Sequence, residues 1–219
     1  MSENVVNLFD MEADDASMSF LDNRNTSKDG IFRPNPKEAK DKQRGYVATI
    51  RFLPNLLEDG TLGPSALEKH VHYANLPDYS DLQGYYDSLI NFGEKCPLTT
   101  LFWKLKNSKN QAEVERADLI GRTTKYYSYI LVIEDEQHPE WEGKIMIWPY
   151  GFKIKEKISL ERTGENSEEK KCNVFDPANG KDFRLIVKQV GEWPNYDSST
   201  FRAVSPLKIW DEDHKRFVE

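Results

Sequence analysis

Cysteine is scarce: the 219-residue chain has two, Cys96 and Cys172. Two thiols 76 positions apart (172 − 96) make no disulfide framework, and such usage fits a reducing compartment. Long apolar runs are missing as well. None approaches the roughly 20 residues that cross a bilayer, and the N-terminus has no basic-then-apolar secretory pattern, so the chain is expected in the cytosol and away from membranes. There are no internal repeats, and the sequence offers little that bond-making chemistry would need. What it has in quantity is charge. Asp, Glu, Lys and Arg make up 31% of the chain and mean hydropathy is −0.73, as expected of a soluble protein with one sizeable core or one domain carrying a large insertion.

The net charge of −7 argues at first against a polyanionic partner. Its distribution answers that objection. Residues 1–30 hold seven acids against two bases, 2 − 7 = −5, which leaves −2 for the other 189 residues. Within that body the bases cluster: six against two acids over residues 33–51, seven against three over 95–125, and a further excess over 144–162. A polyanion responds to local potential more than to net charge. Solvated charged faces explain each cluster alone about as well.

Residues 123–158 stand out. Positions 126–133 are rich in Tyr, Ile, Leu and Val, which suit a half-buried strand. Residues 134–143 are polar and contain Pro139 and Gly143, predicting a turn, and 144–150 read as the returning strand. Tyrosines, Trp148 and lysines share this one hairpin. Flat rings that stack on bases beside cations that follow phosphates are what a single-stranded nucleic-acid groove requires. Rings that simply pack a barrel interior are the competing reading.

The flanking chain falls into order around this hairpin. Residues 1–30 read as an acidic flexible arm with a short docking helix near 9–20. Residues 46–54 form a strand closed by Pro54, with Arg51 inside an apolar run, either snorkelling or facing a groove. The stretch 56–120 is mixed, with helices expected at 96–106 and 111–119. Residues 152–158 read as a short helix or strand extension, 159–171 as a loop, 173–180 as a turn and 181–190 as an alternating strand. Trp193 and Tyr196 follow in a loop, and 201–219 pack back on the body. The fold class expected is mainly β with α: an oligonucleotide-binding Greek-key barrel of about five strands with a helix-containing inserted subdomain. Its core would be residues 31–62 plus 121–200, with 63–120 inserted.

Several stretches are collinear with one family. They are residues 47–54 (VATIRFLP), Arg122 with 126–132, Glu142-Gly143-Lys144 with Gly151 and Lys153-Ile154, and Phe183 with 187–190, 195–197 and Phe201. This set resembles the single-stranded DNA-binding, helix-destabilising proteins of T-even-type bacteriophages, the gene 32 product family. The resemblance implies a non-enzymatic protein that holds single-stranded DNA in a basic, aromatic-lined cleft during phage DNA replication, recombination and repair, in the cytoplasm of the bacterial host. Carried over by position, the DNA-binding residues are Arg51, Arg122, Lys125, Tyr126, Trp148, Trp193 and Tyr196, joined by Lys104, Lys106 and Lys153. It also implies self-association along DNA and replication partners such as a polymerase, a helicase loader and a recombinase.

Two departures bear on that expectation. The family's inserted subdomain carries a zinc site of one histidine and three cysteines, two of them in a CxxC. Here that stretch is Cys96-Pro97-Leu98-Thr99, and with His70 and His72 at most three of four ligands are available, so no cofactor is expected. Apolar packing by Tyr79, Tyr85, Tyr86, Phe92, Phe102 and Trp103 is expected to hold the subdomain instead. The family's basic N-terminal arm is replaced by the acidic one. Two other functions fit parts of the chain: a protein-interaction module built on that arm, with Phe9, Met11, Met18 and Phe20 among acids, and a metal-dependent nuclease using Glu134, Asp135, Glu136 and His138. The second requires acids of an exposed turn to converge on one point.

Overall fold

A computed structural model describes residues 30–75, 83–164, 171–211, 213–214 and 216–218; the acidic arm and the readings made on it lie outside these. The chain divides into two compact units, one containing Glu68–Lys125 and the other Lys28–Leu67 with Tyr126–Glu219.

The first unit is a small antiparallel sheet with two helices. Strand β2 (Leu67–Ala74) pairs with β3 (Gly84–Asp87), and β2 also borders the start of β4 (Ile120–Asp135). Helix α1 (Pro97–Lys106) starts with proline at its first position, where the missing N–H costs nothing. Helix α2 (Gln111–Asp118) is capped by the Asn110 side chain, which accepts from the Ala112 amide. Both helices were expected; the β2–β3 hairpin was not. Tyr73 and Tyr85 meet across it with ring centroids 4.8 Å apart, and Lys69 pairs with Asp87 at 2.8 Å. The expected apolar packing is incomplete, because Phe92 and Trp103 are 60% and 47% exposed. Tyr79 lies outside the described residues.

The second unit is a curled antiparallel sheet. Its order is β5 (Ile145–Tyr150), the later part of β4, β1 (Tyr46–Phe52), then β6 (Lys181–Val190), with β7 (Trp193–Asn195) and β8 (Thr200–Val204) both on β6. A two-stranded pair, β9 (Ile209–Asp211) and β10 (Arg216–Val218), follows. Gly143, with φ of +81°, ends the turn before β5, and a Cβ there would enter the ring of Trp210. Helix α3 (Phe152–Thr163) takes the short-helix alternative read over 152–158 and runs on into residues expected to be loop, because Ile154 and Ile158, one turn apart, both reach the core.

Side chains alternate across a strand, so one set of positions lines the core and the other faces away. Tyr46, Ala48, Ile50 and Phe52 of β1, Tyr126, Ile130 and Val132 of β4, Met146, Trp148 and Tyr150 of β5, and Phe183, Leu185 and Val187 of β6 form the core. Burying a side chain the size of Phe contributes roughly 1.5–3 kcal/mol, and this core is dense in aromatics. Trp148 stacks on Phe52 with centroids 5.8 Å apart, and Phe32 meets it edge-on at 6.0 Å. Tyr46 donates to the Asp135 carboxylate, and burial pushes both groups above their ordinary pKa. Both cysteines are free and buried. No helix among the described residues is long and apolar enough to cross a membrane.

Candidate nucleic-acid interface

The outward set of positions in the second unit makes a coherent face. Directly paired residues on neighbouring strands point to the same side of a sheet. Thr49 of β1 pairs with Arg184 of β6, and Val47 with Ile186, although both β1 side chains are buried and the accessible part of this face belongs to β6 and its partners. Arg184 pairs in turn with Thr200 of β8, and Arg202, two residues on, donates from Nη2 to Thr49 Oγ1 at 3.1 Å. Farther along β6, Lys188 pairs with Asn195 and Val190 with Trp193 of β7. Tyr127 and Tyr129 occupy the same outward parity on β4, alternating with the inward Tyr126, Ser128 and Ile130. Three cations (Arg184, Lys188, Arg202) thus share one side with an indole. Trp193 is 77% exposed, the most open large apolar side chain among the described residues.

Only part of the sequence-derived set lies here. Trp193 does, as its exposure makes plain. Trp148 does not: it is 1% exposed, and Pro149 between it and Tyr150 takes the outward position. Tyr126 is 8% exposed and faces inward, its ring stacked toward Tyr150 at 6.0 Å. Tyr196 is half-buried against the core, and burial pushes its hydroxyl pKa up. Neither Trp148 nor Tyr126 offers a stacking face in this structure, because inward parity places each ring among other rings.

Arg51 is the plainest correction. It has outward parity but is fully buried. Its Nη1 pairs with Asp182 at 3.2 Å, and its Nη2 donates to the carbonyls of Asp176 at 3.0 Å and Ser205 at 2.8 Å. Gly180 is required beside it, since a Cβ there would meet Arg51 Nη2 and the carbonyls of Val174 and Asp176. Arg51 thus holds loops together, with no part of its guanidinium open to solvent.

The remaining predicted cations belong to other surroundings. In the first unit, Arg122 is half-buried and donates from Nη2 to His70 Nδ1 at 3.1 Å; burial first, and this positive charge second, push the His70 pKa down. Lys104 and Lys125 are exposed, and Lys106 pairs with Asp118 at 2.8 Å. In the second unit Lys153 is exposed near the start of α3. Sequence reasoning missed Arg184, Lys188, Arg202, Tyr127 and Tyr129. The signal available was strand parity: each sits one position from a residue that faces the other side of its strand.

The nuclease acids do not form a site. Asp135 is buried, not exposed as expected, and accepts from Tyr46 and from the amides of Gln137 and His138 at 2.9 and 3.0 Å. Glu136 is held by Arg44 at 2.7 Å. No group of three or more His, Cys, Asp or Glu side chains placed to share a metal occurs among the described residues. The zinc ligands implied by the resemblance fit no better. Among the residues near Cys96, His72 Nε2 lies 3.8 Å from its sulfur, and the next groups are the hydroxyls of Thr99 and Ser88. One thiol and one imidazole do not make a structural zinc site.

Residues 45–216 match the family described as gp32 DNA binding protein like. Over 172 residues, 76% of this chain, it is 32% identical to the single-stranded DNA-binding protein of Enterobacteria phage T2 and 33% identical to that of Enterobacteria phage T4. The match covers 53% and 54% of those proteins, so the chain spans about half the length of the curated relatives it matches. On the family match over most of its length, the chain belongs to the gp32-like DNA-binding protein family.

Proposed function

We propose that this chain is a non-enzymatic, sequence-tolerant binder of single-stranded DNA, and that the second unit is an oligonucleotide-binding barrel whose outward β6–β7–β8 face meets the strand. The observation that carries this is that Trp193, Lys188, Arg184 and Arg202 share the side of the sheet opposite the aromatic core, Trp193 and Lys188 at one end of β6 and the two arginines at the other. Trp193 stacks on a base, and each such stack contributes roughly 1–3 kcal/mol whatever the base. The cations neutralise phosphates and release counterions. Binding only the separated strand lowers the melting temperature of a duplex by mass action. Work in phage DNA replication, recombination and repair within the host cytoplasm, assembly along DNA and docking of replication proteins all follow the same family reading.

Intrinsic-fluorescence titration with oligo-dT at two salt concentrations tests the proposal. Quenching with an affinity that falls steeply as salt rises is expected. No quenching and no salt-dependent binding to any single strand would refute it.

A further inference from the structure

The first unit brings four side chains from three parts of the chain to one point: His72 on β2, Ser88 just after β3, and Cys96 with the half-buried Thr99 at the start of α1. Ser88 and His72 are fully buried and Cys96 is 4% exposed. The hydrogen bonds run in one direction. The Ile120 carbonyl at 3.4 Å can only accept, so His72 Nδ1 carries the proton and Nε2 accepts from the Thr99 hydroxyl at 2.9 Å. Thr99 Oγ1 in turn lies 3.3 Å from Ser88 Oγ, and Cys96 Sγ lies 3.8 Å from His72 Nε2.

We propose that these four side chains form a metal-free hydrogen-bonded node, which ties β2, the end of β3, α1 and the start of β4 together where a metal site would otherwise do so. Zinc bonds of about 2.3 Å to sulfur and about 2.0–2.1 Å to nitrogen in a tetrahedron put neighbouring ligand atoms roughly 3.3–3.8 Å apart. The Cys96–His72 separation of 3.8 Å is slightly wider than the roughly 3.6 Å of a sulfur and a nitrogen sharing one zinc, and the hydroxyl separations of 2.9 and 3.3 Å are drawn in below the thiolate spacing. Two hydroxyls therefore stand where two further thiolates would complete a set of one histidine and three cysteines. Contracted by direct hydrogen bonds, the same four positions close on one another without an ion. A buried polar cluster is stabilising only when its members satisfy one another, and here each of the three hydroxyl and imidazole groups has a partner.

It follows that the wild-type chain is zinc-free and that the site is restorable. Protein purified from zinc-supplemented cells is expected to hold far less than one equivalent of zinc by atomic emission, with a melting temperature unmoved by EDTA. One equivalent of tightly held zinc would overturn the node. Ser88→Cys with Thr99→Cys is expected to take up one equivalent of zinc, to show the absorption of tetrahedral thiolate-bound cobalt(II), and to gain a chelator-sensitive rise in melting temperature. A folded double variant, judged by circular dichroism, that binds neither metal would rule out the geometry. In the otherwise unchanged protein, Thr99→Val keeps the shape and removes the hydroxyl, and a fall of several degrees in melting temperature is expected; no change would contradict the node. Oligo-dT binding enters none of these readouts, so the node and the DNA-binding face fail separately.

Discussion

Arg51 and Ser205 lie 154 positions apart and are joined by a 2.8 Å hydrogen bond from the guanidinium Nη2 to the backbone carbonyl. A strand-embedded arginine invites a role in phosphate binding, yet this side chain is fully enclosed by protein. With Asp182 on Nη1 and Asp176 sharing Nη2, it fastens the turn before β6 and the segment after β8 to β1.

Arg51→Met is therefore expected to destabilise the fold, by roughly 3–5 kcal/mol if Asp182 is left without its partner, measured by urea denaturation. Affinity for oligo-dT, measured where the variant is still folded, should stay within about twofold. A large loss of affinity without loss of stability would return Arg51 to the DNA-binding set.

The two tryptophans of the expected groove should separate by the same logic. Trp148→Ala removes a fully buried indole and is expected to cost about 3–5 kcal/mol of stability. Trp193→Ala removes a ring that is mostly open to solvent and should leave stability within about 0.5 kcal/mol. Equal effects of the two on unfolding would contradict the inward and outward assignment.

These cases show what the sequence makes legible on its own. The hairpin at 126–150, the strands at 46–52 and 181–190 and both helices of the first unit were readable, because each has a strong period, a proline or a cap. Whether a ring faced in or out was not. Trp148 and Trp193 carry the same side chain beside prolines in both cases, and only the register of β5 against β4 and of β7 against β6 separates them. Arg51 was ambiguous because its partners, Asp176, Asp182 and Ser205, are remote in the chain. The β2–β3 hairpin was hidden by the polar residues of Glu68–His70, whose pairing partners are set by the fold.

The cations of the outward face should appear in the salt dependence. Each phosphate contact on a single strand contributes about 0.7 to the slope of log affinity against log salt. Arg184→Gln with Arg202→Gln is expected to reduce that slope by about 1.4, two contacts at about 0.7 each, while Lys106→Gln, which loses a partner of Asp118 instead, leaves it unchanged. An undiminished slope in the double variant would remove these arginines from the interface.

His138 predicts a pH effect on stability. Its ring lies on Trp141 with centroids 3.9 Å apart, and Nε2 and Nδ1 meet Glu38 at 2.9 Å and Glu140 at 3.0 Å. Burial pushes the imidazole pKa down, but hydrogen bonds to the two carboxylates outweigh it and hold the group above its ordinary 6.5. With the folded value raised, the stability from this charge is fully present below about pH 6.5 and is lost as pH rises through the folded value. Melting temperature should fall over that window in the wild type, and His138→Gln should flatten the fall. An identical pH profile in the variant would contradict the assignment.

The most direct measurement compares two variants for oligo-dT affinity at one moderate salt concentration. Trp193→Ala combined with Arg184→Gln and Arg202→Gln strips the outward face, and Lys104→Gln with Lys106→Gln strips charge from helix α1 in the first unit. At least a tenfold weakening is expected in the triple variant, since loss of one stack alone is worth roughly 1–3 kcal/mol, and a change below about threefold in the helix variant. Wild-type affinity in the triple variant, with its fold intact by circular dichroism, would contradict the claim that this face binds the strand.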